Sequence, residues 1–130
     1  MVLVDTSVWI RFLTNREPFA TGLDSLLERD EVVGHDFVFG ELLAGDRGGR
    51  SKLLDAYEQL QQASLVSYEE VVLFVRHHKL HGRGVGWIDI HLLASAKVGR
   101  FLLWTADPRF AGVASELGIA YLAKISPSRD

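Results

Sequence analysis

Short apolar runs alternate along this chain with longer stretches in which apolar residues recur three and four positions apart. The runs Val2–Val4, Val32–Gly34 and 101–105 are too short for helices and lie between polar residues, a pattern typical of strands buried in a parallel sheet. The longer periodic stretches predict helices over 8–13, 20–29, 37–44, 52–62, 68–80 and 88–98, with another beginning after Asp107. Because strands alternate with helices, we expect an α/β fold: one domain over 1–130 whose central, mainly parallel sheet has helices on both faces.

Local signals indicate where several elements begin and end. Thr6 or Ser7 is expected to cap the first helix, and Ser67 and Glu70 have the spacing of a capping box. Weaker patterns predict two further strands, a loop and a polar tail, which are 65–66, 120–122, 46–50 and 126–130 respectively.

Length and composition narrow the class of protein. Of the 130 residues, 48% are hydrophobic and 24% are charged, the balance of an ordinary globular domain rather than of a disordered chain or a coiled coil. No apolar run approaches the roughly 18 residues of a membrane span, and the first residues do not resemble a secretory signal. Cysteine is absent, which excludes disulfides, thiol nucleophiles and zinc–thiolate sites. These features favour a cytoplasmic protein. The formal net charge of −3 means that a nucleic-acid-binding protein of this composition needs a local basic patch or a metal ion.

Four acidic residues interrupt the apolar pattern. Asp5 directly follows the first strand, and Asp107 comes two residues after Thr105 at the end of the 101–105 run. The carboxyl ends of parallel strands form the edge at which α/β folds bind ligands. Glu41 and Asp89 lie in otherwise apolar helical segments. Carboxylates crowded at one edge repel each other, and Mg²⁺ or Mn²⁺ compensates such a cluster of oxygen ligands.

Each acid also has an ordinary structural interpretation. Asp5 can cap a helix, Asp107 can form an Asp-Pro turn, and Asp89 in a first helical turn gains about 0.3–1 kcal/mol from the helix dipole. Glu41 lies near a helix C-terminus, where the dipole opposes it, so its ordinary role is that of an exposed polar side chain. If all four converge, the resulting metal site suits phosphodiester hydrolysis, because the metal lowers the pKa of bound water and neutralises phosphate charge.

Four segments in this order resemble the PIN-domain ribonucleases, and specifically the VapC-type toxins of bacterial toxin–antitoxin modules. The segments are VDTSVW at 4–9, GELLAG at 40–45, WIDIHLLASA at 87–96 and WTAD at 104–107, so the resemblance covers essentially the whole chain. It implies a metal-dependent endoribonuclease that cleaves structured cellular RNA, such as tRNA or rRNA. It also implies a homodimer that is silenced by a cognate antitoxin protein.

The resemblance assigns roles position by position. It implies an acidic quartet that binds Mg²⁺ or Mn²⁺ and is formed by Asp5, Glu41, Asp89 and Asp107. Asp5 and Asp89 are the expected direct ligands, whereas the other two act through bound water or at a second metal. Thr6 and Thr105 match hydroxyl residues that orient carboxylates or water.

An RNA substrate requires positive charge around the carboxylates and favours aromatic surfaces for unpaired bases. The candidate cations lie near the motifs or in glycine-rich loops, and are Arg11, Arg47, Arg50, Lys52, Arg83 and Arg109. The candidate stacking residues, each of which also suits the core, are Trp9, Trp87 and Phe110. An antitoxin groove near the first helices has as candidate contacts Trp9, Phe12, Leu13 and Leu43.

The histidines favour structural roles. His77, His78 and His81 are expected on a solvated helix face. His35 and His91 are expected to pack or to lie at the rim of the site rather than to bind metal, with tuning or lining of the cleft as the alternatives for His91. His91 departs from the family pattern, since many relatives have a small or aliphatic residue at that position.

Two other classes of protein fit parts of the pattern. A signalling receiver domain also has strand-end aspartates, but Asp5 has no acidic neighbour and no lysine follows the 101–105 strand at a suitable place. A catalytically silent PIN-like module that binds RNA or protein is the main alternative, and the presence of all four acids argues against it.

Overall fold

A four-stranded parallel sheet forms the centre of the computed structural model, which describes residues 1–123. The strands are β1 (Val2–Val4), β2 (Val32–Gly34), β3 (Gln61–Gln62) and β4 (Leu102–Trp104). They lie in the order β3-β2-β1-β4, and every neighbouring pair is parallel. All four carboxyl ends therefore face the same edge, with the end of β1 between those of β2 and β4.

Seven helices within residues 1–123 pack around this sheet. They are α1 (Thr6–Leu13), α2 (Phe19–Glu28), α3 (Asp36–Ala44), α4 (Ser51–Glu58), α5 (Tyr68–His78), α6 (Trp87–Gly99) and α7 (Pro108–Glu116). All three residues of β1 are buried, and because successive side chains of a strand point to opposite faces, both faces of the sheet are covered. The predicted α/β class and parallel sheet are confirmed. No helix in the part of the chain described is long and apolar enough to cross a bilayer.

The region after α4 differs from the sequence prediction. The helix predicted over 52–62 ends at Glu58, and Gln61–Gln62 form β3 against β2, whereas 65–66 is not a strand. This strand forms because its backbone pairs with β2, and not because it has apolar side chains to bury. A side-chain atom at Gly34 would lie 2.5 Å from the amide nitrogen of Gln62, so the bare glycine leaves room for the glutamine beside it.

Two further predictions, the last strand and the cap of α1, differ from the structure. The predicted strand at 120–122 is reduced to a single bridge between Ala120 and Leu103, and the predicted polar tail at 126–130 lies outside the described residues. Neither Thr6 nor Ser7 caps α1. Asp5 occupies the cap position, and its side chain makes no capping hydrogen bond, because its carboxylate is engaged elsewhere.

Candidate active site

Asp5 lies at the junction of β1 and β4, where the two strands end side by side. Its backbone N–H donates to the carbonyl of Trp104 at 2.9 Å. Its carboxylate is buried, and Oδ2 accepts hydrogen bonds from Ser7 Oγ at 2.7 Å and from Thr105 Oγ1 at 2.8 Å. Both bonds fall on one oxygen, so among residues 1–123 no side-chain or backbone donor engages Oδ1, which is available to a ligand.

Ser7 is a member of this site that the sequence prediction missed, since the serine was considered only as a helix cap. Besides donating to Asp5, its Oγ accepts the backbone N–H of Ala106 at 3.0 Å. Thr105 Oγ1 in turn accepts the backbone N–H of Asp107 at 3.1 Å. The two hydroxyls therefore tie the start of α1 to the loop after β4. The available sequence signal was a small polar residue directly between a strand-end acid and an apolar helix face.

Asp107 follows Thr105 and caps α7. Its Oδ1 accepts the backbone N–H of Arg109 at 2.9 Å, which is a helix cap rather than an isolated Asp-Pro turn. The side chain is exposed, so the carboxylate carries no burial penalty. The capping interaction holds the carboxylate at the carboxyl end of β4.

Glu41 reaches the same edge from α3. The exposed carboxylate accepts a hydrogen bond from Thr6 Oγ1 at 2.7 Å, and Thr6 is the residue directly after Asp5. The threonine hydroxyl therefore orients Glu41 next to the acid at the end of β1. This contact offsets the unfavourable position of a carboxylate near the C-terminus of α3.

Asp89 is the acid on which burial and repulsion act most strongly. It lies half-buried in the first turn of α6, and its Oδ2 accepts the backbone N–H of Gly86 at 3.3 Å. Burial, followed by repulsion from Asp5 and then from Asp107 and Glu41, raises the pKa of Asp89 to about 6, against the smaller lowering effect of the Gly86 hydrogen bond. The charges of Asp5, Asp107 and Glu41 therefore act on Asp89, although the four acids come from distant parts of the chain.

The donor set of this cluster fits a hard divalent cation. All four acids offer carboxylate oxygens, which are the ligands that Mg²⁺ and Mn²⁺ prefer. Oδ1 of Asp5 is available to a ligand, and the negative charge of Asp5 repels that of Asp89. As the side chains lie, no three acidic or histidine residues in 1–123 form a ready-made set of metal ligands. Glu41 is hydrogen-bonded to Thr6 instead.

The candidate cations differ in how they are held. Arg11 donates to the Ser7 carbonyl at 3.0 Å and lies over the ring of Phe19, which places its guanidinium next to the site. Arg109 packs across Gly84 in the loop that precedes α6, and a side-chain atom at that glycine would lie 2.9 Å from Nη1 of Arg109.

The remaining predicted cations lie in loops. Arg83 pairs with Glu116 on α7 through Nη1 and Nη2 of its guanidinium group, so part of its charge is already balanced. Arg47 and Arg50 are exposed in the loop between α3 and α4, as is Lys52 in the first turn of α4.

The aromatic candidates divide by burial. Trp9 and Phe110 are each 1% exposed and belong to the core, so neither can stack on a base. Trp87 is 44% exposed at the start of α6, two residues before Asp89. His91 packs edge-to-face between the rings of Phe37 and Trp87, in agreement with the predicted packing role.

Other predicted surface residues are placed as follows. Leu43 is 53% exposed, whereas Phe12 and Leu13 are partly buried, so of the predicted antitoxin contacts only Trp9 is inaccessible. His77 is exposed and His78 is partly buried beside Phe74 at the end of α5, as expected of a solvated helix flank. His81 is also exposed, but the prediction that it shares this helix is wrong, because α5 ends at His78.

Comparison with known proteins identifies the family. The chain matches the PIN domain family over residues 2–116. The chain belongs to the PIN-domain family. Two relatives, both called Ribonuclease VapC32 and both from Mycobacterium tuberculosis (strains CDC 1551 / Oshkosh and ATCC 25618 / H37Rv), are 39% identical over 127 residues, which is 97% of this chain and 100% of each relative. This PIN domain is therefore of the VapC type.

A solved structure agrees on the fold. The crystal structure of FitAcB from Neisseria gonorrhoeae superposes on this PIN domain with a TM-score of 0.60 and 23% identity, over 88% of this chain and 94% of that one. At this identity the comparison supports the shared fold. Ribonuclease is the class of activity that the curated relatives are named for.

Proposed function

We propose that this protein is a Mg²⁺- or Mn²⁺-dependent endoribonuclease, the toxin of a toxin–antitoxin pair, that hydrolyses phosphodiester bonds in structured cellular RNA such as tRNA or rRNA. The observation that carries the proposal is the placement of the acids at one edge of the sheet. Asp5 and Asp107 follow β1 and β4 and are linked through Thr105, and Thr6 holds Glu41 beside Asp5. Burial, together with the charges of these three acids, raises the pKa of Asp89. A cluster of four acids at the carboxyl edge of a parallel sheet is the setting that divalent metal chemistry on phosphodiesters requires. The cytoplasm is the compartment in which we expect it to act.

The chain's own residues hold and orient the reacting groups. When bound, a divalent ion supplies a water of lowered pKa and neutralises charge on the phosphate. Asp5 and Asp89 are the proposed direct ligands, and Glu41 and Asp107 are proposed to hold water or a second ion. The hydroxyls of Ser7 and Thr105 fix the Asp5 carboxylate through Oδ2, which would leave Oδ1 for the ligand.

The RNA backbone requires cations beside this acidic edge. Arg11 and Arg109 are the proposed phosphate contacts, because each is packed against a residue next to the site. Trp87 is the proposed surface for an unpaired base, since its ring is exposed two residues before Asp89.

The test is cleavage of RNA by the purified protein and by two variants that each lose one carboxylate charge. Asp5→Asn removes the central ligand, and Asp24→Asn changes an exposed acid on α2 that lies outside the site. Total bacterial RNA is incubated with each protein in Mn²⁺ and in EDTA, and new 5′ and 3′ ends are mapped by sequencing. We expect new ends at one RNA motif with wild type and Asp24→Asn in Mn²⁺, and loss of roughly 10²-fold or more in rate for Asp5→Asn.

Two results would count against the nuclease. Cleavage by Asp5→Asn at the wild-type rate would remove the quartet from the mechanism. Binding of the same RNA by wild type with no cleavage in Mn²⁺ or Mg²⁺ would support the silent binding module instead.

We also propose an antitoxin partner and a homodimer. An acidic cleft attracts a basic side chain, so an antitoxin arginine that pairs with the quartet carboxylates is the proposed inhibitory contact. Co-expression with the protein encoded beside this gene, followed by mass measurement of the complex by light scattering, tests both proposals. A monomer with no stable complex would contradict them.

A further inference from the structure

A buried chain of hydrogen bonds joins the two helices that carry Glu41 and Asp89. It begins at His35, between β2 and α3, passes through Ser95 in α6 and ends at the backbone carbonyl of Ser64. His35 is 0% exposed and Ser95 is 1% exposed. None of these three residues belongs to the carboxylate site, and the proposed chemistry does not use them.

We call the chain of hydrogen bonds from His35 through Ser95 to the Ser64 carbonyl the relay. The direction of each hydrogen bond in it is fixed by the partner groups. The backbone N–H of Phe37 donates to Nδ1 of His35 at 3.0 Å, so that nitrogen carries no proton. The proton of the neutral ring is therefore on Nε2, which donates to Ser95 Oγ at 3.0 Å, and Ser95 donates to the Ser64 carbonyl at 2.9 Å. Burial lowers the pKa of His35 to about 4, so the ring is neutral at pH 7.

Tyr57 fixes the backbone of the same histidine. Its hydroxyl accepts the His35 N–H at 2.8 Å and donates to the His35 carbonyl at 3.3 Å. Burial raises the pKa of Tyr57, so the phenol keeps the proton that it donates. His35 is thus held through both ring nitrogens and both backbone groups, and it connects α3, α4 and α6 in one place.

The relay is placed to control the spacing of the acids. Glu41 lies six residues after His35, and Asp89 lies six residues before Ser95. At a rise of 1.5 Å per residue, each acid is about 9 Å along its helix from the relay. A small rotation of α3 against α6 at the His35–Ser95 bond therefore moves the two carboxylates relative to each other.

We propose that His35 and Ser95 are positioning residues of the nuclease, whose hydrogen bond fixes α3 against α6 and sets the spacing of Glu41 and Asp89 for the divalent ion. This inference rests on the proposed function. Hydrogen-bond partners that orient metal ligands typically control affinity or activity by 10–100-fold, although here the control acts through two helices rather than through a direct bond to a carboxylate.

The experiment compares Ser95→Ala and Ser95→Cys with Leu26→Val. The alanine leaves the Nε2–H of His35 buried without an acceptor, and the cysteine fills the position with a somewhat larger side chain that offers only a weak acceptor. Leu26 is a buried residue of α2, so its variant controls for loss of stability alone. Each protein is measured for Mn²⁺ affinity by calorimetry, for kcat and KM on a cleaved RNA, and for unfolding temperature.

We expect Ser95→Ala to bind Mn²⁺ about tenfold more weakly and to lose about tenfold in kcat, with KM for RNA within about twofold of wild type. Ser95→Cys is expected to show a smaller loss of the same kind, and it gives the answer if the alanine variant does not fold. Leu26→Val should lower the unfolding temperature without changing Mn²⁺ affinity. If the Ser95 variants lose stability but keep Mn²⁺ affinity and kcat, the positioning role is wrong.

A second readout separates this inference from the nuclease proposal. Long-range ¹H–¹⁵N spectra of the imidazole should show His35 protonated on Nε2 and not on Nδ1 at pH 7, with the Nε2 signal shifted in Ser95→Ala. A proton on Nδ1 overturns the relay whether or not the protein cleaves RNA.

The nuclease proposal alone fails if the wild-type protein shows the Nε2 tautomer but neither binds Mn²⁺ nor cuts RNA. In that case amide hydrogen exchange tests whether the relay fixes α3 against α6. Faster exchange in α3 and α6 for Ser95→Ala than for Leu26→Val supports it, and equal rates contradict it.

Discussion

The charged form of Asp89 is destabilised by the site to which the residue belongs. An acid whose folded-state pKa is about 6, against an ordinary value of 3.8, is destabilising in its charged form. That destabilisation is absent below pH 3.8, grows as the pH rises toward 6 and is complete above it. At neutral pH the fold therefore carries the full unfavourable free energy of this charge.

Removing the charge should accordingly stabilise the protein. In EDTA at pH 7, we expect Asp89→Asn to unfold at a higher temperature than wild type, with a gain of about 1–2 kcal/mol, because the residue is only half-buried and solvent screens part of the effect. Asp24→Asn, which loses an exposed charge on α2, should change stability by less than about 0.5 kcal/mol. Thermal unfolding followed by circular dichroism measures both. An unfolding temperature for Asp89→Asn equal to or below that of wild type would show that the acids do not crowd one another.

The residue scale is also where the sequence was least informative. Asp5 and Asp107 could be assigned to strand ends because the strands are readable from a few adjacent residues. Ser7 and Ser95 could not be assigned, because their roles depend on partners 99 and 31 positions away, at Ala106 and Ser64. A serine in an apolar run signals a buried hydrogen bond, but the sequence does not indicate its partner.

At the scale of elements, α3 depends on a titratable cap. His35 accepts the Phe37 N–H only while Nδ1 is unprotonated. Burial lowers the pKa of His35 to about 4, with Asp36 opposing the shift and His91 adding to it. Because the folded-state pKa is below the ordinary 6.5, the stability from the neutral ring is fully present above pH 6.5 and is lost as the pH falls toward 4.

The pH dependence can be isolated with His35→Asn, which keeps a capping side chain without a titrating ring. We expect the difference in free energy of unfolding between wild type and this variant to fall by about 2 kcal/mol between pH 7 and pH 5. Urea titrations at the two pH values measure it. Asp89 titrates in the same range with the opposite sign in both proteins, so the comparison cancels its contribution. A difference that does not change with pH would mean that His35 is not buried as a neutral ring.

Most helices and strands could be predicted from the sequence, but β3 could not. Strands β1, β2 and β4 and most helices follow from runs and periodicities that the residues carry themselves. β3 is formed by Gln61–Gln62, two polar residues with no strand pattern, because β2 has a free edge and Gly34 leaves space beside it. A strand that forms only because it pairs with a neighbouring strand cannot be predicted from the pattern of its own residues.

For the molecule as a whole, the sheet brings the four acids together and a bound ion should hold the assembly. We expect Mn²⁺ at ten times its dissociation constant to stabilise the wild-type fold by about 1.4 kcal/mol, a rise in unfolding temperature of roughly 3–5 °C. Asp5→Asn should lose this rise, whereas Asp24→Asn should keep it. Differential scanning calorimetry with and without EDTA measures the shift. An equal rise in Asp5→Asn would place the ion elsewhere on the protein.

The order in which the acids occur along the chain has a consequence for synthesis. Residue 5 is added at the start of synthesis and residue 107 when roughly four-fifths of the 130 residues have been joined, and β4, which completes the Asp5 environment, is also translated late. A stalled or truncated translation product therefore lacks part of the quartet, whatever its length below 107. For a protein proposed to cut the RNA of the cell that makes it, a fragment that ends before residue 107 is therefore expected to be inactive, and cleavage is expected to begin only once all four acids have been made.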